Sequence, residues 1–226
     1  MGTYAIIPAA GSGRRFGGQK QFQLLGGKPL FLYATETFLS SPLIAGICLT
    51  VPEDDISSVK ALTKGISNKE ILVVAGGRER QDSVRNGLEA LPACDIVVVH
   101  DGVRPLVTKE VIERTIKGVT DSAEFGGCAA GLPVKETTKR VDSDGIVRDT
   151  IDRSELWSVQ TPQTFWRDVF QRAVRKSEED HFLGTDEAML VERIGERVRM
   201  VLGTPYNIKI TTPEDLKIAE AFLKLR

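Results

Sequence analysis

The sequence predicts an α/β fold with a mostly parallel sheet and a β-arm inserted in its second half. Three observations predict it. Short runs rich in Ile and Val alternate with stretches of helical period, the pattern of βαβ units around a buried parallel sheet. A glycine-rich turn follows the first of those runs directly. Residues 134–153 then break the pattern and alternate apolar with polar side chains about "DSDG".

Taken in order, Tyr4–Pro8, Gly46–Val51, Ile71–Ala75 and Asp95–His100 read as strands. Leu30–Leu39, Asp54–Leu62 and Ser83–Leu91 read as the helices between them. Thr108–Val119 reads as a further helix with Thr108 at its N-cap. Asp144-Gly145 predicts a two-residue hairpin turn, which makes Asp142-Ser143-Asp144 a turn and not a metal motif. "TDEAMLVERIG" predicts a helix capped by Thr185, with acidic residues in its first turn. Arg197–Leu202 and Asn207–Ile210 read as strands. "TTPEDLKIAEAFLKLR" closes the chain as an amphipathic helix with Thr212 as cap and Pro213 at its first position. No linker, repeat or low-complexity tract interrupts this order, so residues 1–226 read as one domain carrying an arm at about 134–153. Such an arm needs something to cover it, and a partner subunit is one candidate.

Composition narrows the classes of function. A formal net charge of −1 gives no general attraction to nucleic acid or to a membrane surface. There is no leader-like N-terminus, and no run approaches the roughly 18 apolar residues of a membrane span. The three cysteines lie far apart and there are only two histidines, which fits buried thiols in a reducing cytoplasm and gives no zinc pattern.

The chemistry concentrates in the loops after the strands. "PAAGSGRRFGGQKQFQ", Pro8–Gln23, departs from a dinucleotide fingerprint because Gly17 comes one place late after Gly11 and Gly13. It departs from a P-loop because Gln19 stands where the lysine belongs. No Asp or Glu precedes Glu36, while Arg14, Arg15, Lys20 and Lys28 fall in that span. A glycine turn with backbone donors and unneutralised cations suits a polyphosphate. "HDGVRP", at the end of a strand, offers Asp101 to a metal or a sugar hydroxyl, with Arg104 to pair with it or orient a phosphate. "GGRERQDSV" adds a third loop on the same edge, with Ser83 as a hydroxyl. Lys209, between two isoleucines, faces away from them, toward a ligand or toward solvent.

With "TIDR", "TPQ", "TDEA" and "NIKITTPEDL", these motifs form an ordered set covering nearly the whole chain. The set resembles the 2-C-methyl-D-erythritol 4-phosphate cytidylyltransferases. The resemblance implies a Rossmann-like nucleotidyltransferase domain, a reaction of CTP with methylerythritol phosphate, Mg2+ as cofactor, and a homodimer clasped by the arm. It implies catalytic roles for Arg15, Lys20, Arg153 and Lys209. Ala9, Ala10, Gly11, Gly13, Gly77, Ser83, Asp101 and Gly102 would contact the nucleotide. Thr137 and Arg153 on the arm, with Arg104, Thr161 and Thr185, would contact the sugar phosphate, and Asp101 would be the nearest protein neighbour of Mg2+. A ribitol-5-phosphate cytidylyltransferase shares most of these motifs. A catalytically silent nucleotide-binding module of the same fold is the reading from another class; retention of Arg15, Lys20, Arg153 and Lys209 weighs against it.

Overall fold

The computed structural model describes residues 2–11, 18 and 20–225. The chain opens with β1 (Thr3–Pro8), a short hairpin of β2 (Leu24–Leu25) and β3 (Lys28–Pro29), and α1 (Leu30–Ser40). It continues through β4 (Gly46–Val51), α2 (Ile56–Thr63), β5 (Glu70–Ala75), α3 (Arg80–Ala90), β6 (Ile96–Val99) and α4 (Lys109–Thr120). After β7 (Gly127–Pro133) come the arm strands β8 (Thr138–Val141) and β9 (Val147–Ile151), then β10 (Trp157–Trp166) and α5 (Arg167–Glu179). The chain ends with α6 (Glu187–Arg193), β11 (Val198–Leu202) and α7 (Pro213–Leu223).

The central sheet has seven strands in the order β11-β7-β10-β6-β1-β4-β5. β10 runs antiparallel to both of its neighbours, and the other pairings are parallel. Successive residues of a strand point to opposite faces, so the sheet feeds two apolar layers. Ala5 and Ile7 of β1 and Ile96 and Val98 of β6 join Phe31, Phe38 and Ile112 on one face. Ile6, Val97 and Val99 join Val84, Leu88, Phe165 and Phe170 on the other. Both sets are buried, which is why β1 and β6 read as unbroken apolar runs.

The connections place the site. From β1 the chain moves outward through β4 to β5, then crosses back so that β6 pairs on the other side of β1. In an open α/β sheet, that reversal opens a crevice beyond the carboxyl ends of the two diverging strands. Here those ends are Pro8 of β1 and Val99 of β6.

Most expected elements are present, with boundaries shifted by a few residues, and Thr108 and Thr212 accept the capping hydrogen bonds expected of them. Four differences have physical causes. Asp186, not Thr185, caps α6: its Oδ1 accepts from Met189 N, and Thr185 lies one place too early. Asn207–Ile210 is not a strand; its segment is held by Ile210 N donating to Val103 O and by the Asn207 side chain, not by a sheet ladder. The arm turn has three residues, not two, because Asp142 N donates to Ile146 O and Gly145 takes a left-handed φ of 81°. β7, β10 and α5 go beyond the expected elements. β7 is built largely from Gly and Ala, and β10 carries Pro162 and a register irregularity between Val159 and Gln163, so neither presents a plain strand pattern.

α4 lies against β7 with almost no separation at Gly118. A Cβ there would stand 2.3 Å from Cys128 Sγ and 3.1 Å from Cys128 Cβ. Helix propensity favours alanine over glycine by about 1 kcal/mol, yet overpacking costs about 1–3 kcal/mol. We expect Gly118→Ala to lower stability in urea denaturation, and Cys128→Ala in the same chain to recover part of the loss. A net gain for Gly118→Ala would show that the two elements separate easily.

Candidate active site

Two loops wall the crevice. Beyond β1, Ala9 N donates to Thr50 O at 2.7 Å and carries the chain along the sheet edge to Ala10 and Gly11. Beyond β5, Gly76–Glu79 turns into α3. Ser83 Oγ accepts from Gly77 N at 3.0 Å and donates to Glu79 O, and Asp82 Oδ2 accepts from Glu79 N, so the turn is tied to the first turn of α3. Between these loops lies a cleft of about 130 Å³ lined by Ala9, Ala10, Gly11, Lys20, Gly77, Ser83, Asp101 and Lys209. Arg78 stands on its exposed lip.

A second cavity of about 270 Å³ adjoins it, lined by Arg104, Gln160, Thr161, Gln163, Thr185 and Asp186. Arg80, Asp101 and Lys209 line both. Asp101, 4% exposed, is the centre of that shared wall. Its Oδ1 accepts from Arg80 Nε at 2.7 Å and its Oδ2 from Lys209 Nζ at 2.9 Å, with Arg104 Nε 3.6 Å from Oδ2. Burial alone would push this carboxyl up. Arg80, Lys209 and Arg104 outweigh it and hold the carboxyl well below the usual carboxylate range.

The neighbouring residues fix this centre. The register irregularity in β10 turns Gln160 and Thr161 toward the sheet edge. Thr161 Oγ1 accepts from Asp101 N at 3.0 Å and bonds His100 Nδ1 at 3.0 Å. His100 Nε2 donates to Arg104 O, so Nδ1 accepts and the ring is a neutral Nε2–H tautomer. Burial pushes His100 down to about 4, against the opposing pull of the Arg104 carbonyl and Asp101. His100 is therefore a structural link. On the far side, Arg104 Nη1 donates to Asn207 O, and Asn207 Nδ2 donates to Thr161 O. Ile208 and Ile210 go into an apolar cluster with Leu25 and Val103, leaving Lys209 to face Asp101.

The structure thus brings together Ala9, Ala10, Gly11, Lys20, Gly77, Ser83, Asp101, Arg104, Thr161, Thr185 and Lys209. Gly102 lines neither cavity; its N–H is bonded to Pro8 O, joining the ends of β6 and β1. Thr137 and Arg153 sit on the arm and line neither cavity, with Arg153 bonded to Lys135 O. Lys28 is drawn off by Glu36 at 2.6 Å. Gly13 and Arg15 lie outside the described residues. Arg80 and Glu187 were not expected in the site. Arg80 Nη1 and Nη2 reach Glu187 Oε1 and Oε2 at 2.5 and 3.0 Å. Glu187 reads more simply as an acid suited to a helix N-terminus; Arg80, a cation at the start of α3, runs against that preference and was the signal available.

A cleft walled by backbone and cations, at the switch point of a mostly parallel sheet and lined among the described residues by no nucleophile–base pair, is the site of a nucleotidyltransferase. The profile of the 2-C-methyl-D-erythritol 4-phosphate cytidylyltransferase family matches residues 3–225, and the chain belongs to that family. Relatives of that name from Geobacter metallireducens and Syntrophus aciditrophicus are 44% and 47% identical, over 99% and 97% of this chain and 98% and 95% of theirs. A crystal structure titled 4-diphosphocytidyl-2C-methyl-D-erythritol synthase, from Anaerococcus prevotii, superposes with a TM-score of 0.88 at 32% identity, covering 99% of this chain and 96% of that one. These names favour methylerythritol phosphate over ribitol phosphate as the acceptor.

His100 makes stability depend on pH. Its folded value of about 4 lies below the ordinary 6.5. Between those values the unfolded chain binds a proton that the folded chain refuses, so stability falls as pH drops through this window and levels off below it. The contribution is on the order of 3 kcal/mol. We expect the stability deficit of His100→Gln relative to wild type to shrink from pH 7 to pH 4.5 in denaturant titrations. A deficit constant over that range would rule out a neutral, buried His100.

Proposed function

We infer that the two cavities hold the two anionic reactants of one transfer: CTP between the ends of β1 and β5, and 2-C-methyl-D-erythritol 4-phosphate beside Arg104, Thr161 and Thr185. The observation that carries this reading is the wall of Arg80, Asp101 and Lys209 common to both cavities. An acceptor phosphate oxygen approaching that wall attacks the α-phosphorus of CTP. The bond from the α-phosphorus to the bridging oxygen breaks, its electron pair leaves with pyrophosphate, and CDP-methylerythritol remains.

Both reactants are anions, so their repulsion is the first obstacle. Fixed cations and backbone donors in a partly dry cleft offset it without reorganising. Lys20, opening a 3-10 turn at Lys20–Phe22, and Lys209 flank the place where charge builds; Arg15 is assigned to the same loop. The phosphate nucleophile is already deprotonated near neutral pH, so no general base is required. The neutral, enclosed His100 is consistent with that.

The donor set accommodates Mg2+ as a nucleotide complex only. No group of three or more His, Cys, Asp or Glu side chains among the described residues forms a metal cage. Asp101, with both oxygens already bonded, is the neighbouring carboxylate. Mg2+ takes most of its oxygens from phosphates and water, and when bound it would neutralise the triphosphate.

The arm is assigned to a second subunit. Ile146 and Val147 are 64% and 54% exposed on it, and Thr137 and Arg153 lie on it away from both cavities of their own chain. In a homodimer they would reach the partner's acceptor site. The three cysteines are free thiols, which suits the cytoplasm.

Pyrophosphate release from CTP with a panel of polyol phosphates tests the reading; methylerythritol phosphate should outpace ribitol 5-phosphate. Lys20→Ala should lower kcat about 100-fold, or ~3 kcal/mol, and a wild-type kcat at saturating CTP would remove that lysine from the chemistry. Arg153→Ala should chiefly raise KM for the sugar phosphate. Co-expressing Arg153→Ala with Lys209→Ala gives heterodimers with one intact composite site, so at sugar-phosphate concentrations well below the raised KM activity should return above that of either variant alone. No recovery would place the arm's contacts in its own subunit.

A further inference from the structure

Arg80 has both ends of its guanidinium committed. It is the first residue of α3, and Glu187 is the first residue of α6. Glu187 takes the two terminal nitrogens in a fork, while Nε goes to Asp101 Oδ1 at 2.7 Å. Asp101 Oδ2 then holds Lys209 Nζ at 2.9 Å. The result is one chain of contacts, Glu187–Arg80–Asp101–Lys209, that ends on the wall between the cavities. Its outer end is anchored, because Gln163 Nε2 donates to Asp186 Oδ2 and Gln163 Oε1 accepts from Ala188 N, clamping the start of α6 to β10.

Glu187 is 2% exposed and lines neither cavity. Two simpler roles fit it poorly. A buried ion pair is weak grounds for stability, since well-packed apolar residues often serve as well. Nor does it serve anion attraction. Arg80, Arg104 and Lys209 face Asp101 and Glu187, three cations to two carboxylates, and removing Glu187 would leave the site more positive. What the fork supplies is direction. A guanidinium held at two points presents its Nε along one line, which a lysine could not do.

We propose that Glu187 is a positioning residue: by its two-point hold on Arg80 it fixes the Asp101 carboxylate, and through it the place of Lys209 Nζ at the reacting centre. This rests on the assignment of the shared wall to that centre.

The test uses full-length Glu187→Gln, Arg80→Lys and the double variant, with kcat and both KM values measured and CTP-binding stoichiometry read by calorimetry. Gln keeps the shape of Glu but puts an amide N–H against the guanidinium. Glu187→Gln should lower kcat roughly tenfold or more, leave KM for CTP within about threefold, and keep wild-type stoichiometry. Because Glu187 acts through Arg80, the double variant should be no slower than Arg80→Lys alone. Independent, multiplying effects overturn the proposal, as does an unchanged kcat or a kcat that falls only in step with the binding-competent fraction. If Glu187→Gln does not fold, Glu187→Asp, whose shorter side chain cannot span both nitrogens from the same backbone position, takes its place with the same expectation. Lys209→Ala is the control on the underlying site: if it keeps wild-type kcat, the assignment of the wall falls and the proposal with it. If it loses kcat while the Glu187 variants do not, only the positioning role falls.

Discussion

The Asp101 carboxylate at the end of β6 is the constraint on which the rest of the site depends. A carboxylate so deeply buried persists in its charged form only where cations and donors surround it. The chain supplies the cations from three places: Arg80 from α3, Arg104 from the turn just after Asp101, and Lys209 from the segment before α7, while Thr161 Oγ1 accepts from the backbone N–H of Asp101 and fixes its main chain. Each contact fixes one element relative to the sheet edge. The two cavities exist where these elements are held apart, and they meet at the group that holds them.

The same constraint explains why most polar groups around Asp101 are bonded, although Arg104 Nε, 3.6 Å from Asp101 Oδ2, and Asn207 Oδ1 are buried without a hydrogen bond. His100 is wired on both ring nitrogens, and Thr161 acts at once as acceptor and donor. Asn207 bonds the backbone of Thr161 while its own carbonyl takes Arg104. A network of this kind resists partial rearrangement, because a lost partner leaves a buried polar group unsatisfied. The rigid part of the site is therefore the wall.

How legible this was depended on the kind of signal. β1, β4 and β6 were readable because strands buried on both faces form short apolar runs, β5 because its Ile and Val run survives at the sheet edge, and the glycines after β1, β5 and β6 marked the site edge. β7 and β10 were not. The first is thinned to Gly and Ala because α4 and its neighbouring strands approach closely, and the second mixes polar residues with Pro162 because it turns Gln160 and Thr161 toward the site. α5 does carry a helical face in Val169, Phe170, Ala173 and Val174, so its period was available to be read. Among site residues, Lys20, Asp101 and Lys209 stood out as charges in unusual local settings. Arg80 and Glu187 did not, because they matter through contacts 21 and 107 positions apart in the chain, and spacing in one sequence says nothing about such contacts. Asn207–Ile210 shows the converse: its alternation correctly turned Lys209 away from Ile208 and Ile210, although no strand is present.

The arm leaves and rejoins the domain at one point. β7 and β10 are paired neighbours, with Pro133 opposite Trp157 and Val134 N bonded to Leu156 O, so the hairpin grows from a closed base. Residues can be added to or removed from it without shifting a single pairing in the seven-stranded sheet. It is built as a cassette: its length and its side chains can change while the strand order that places the two cavities stays as it is.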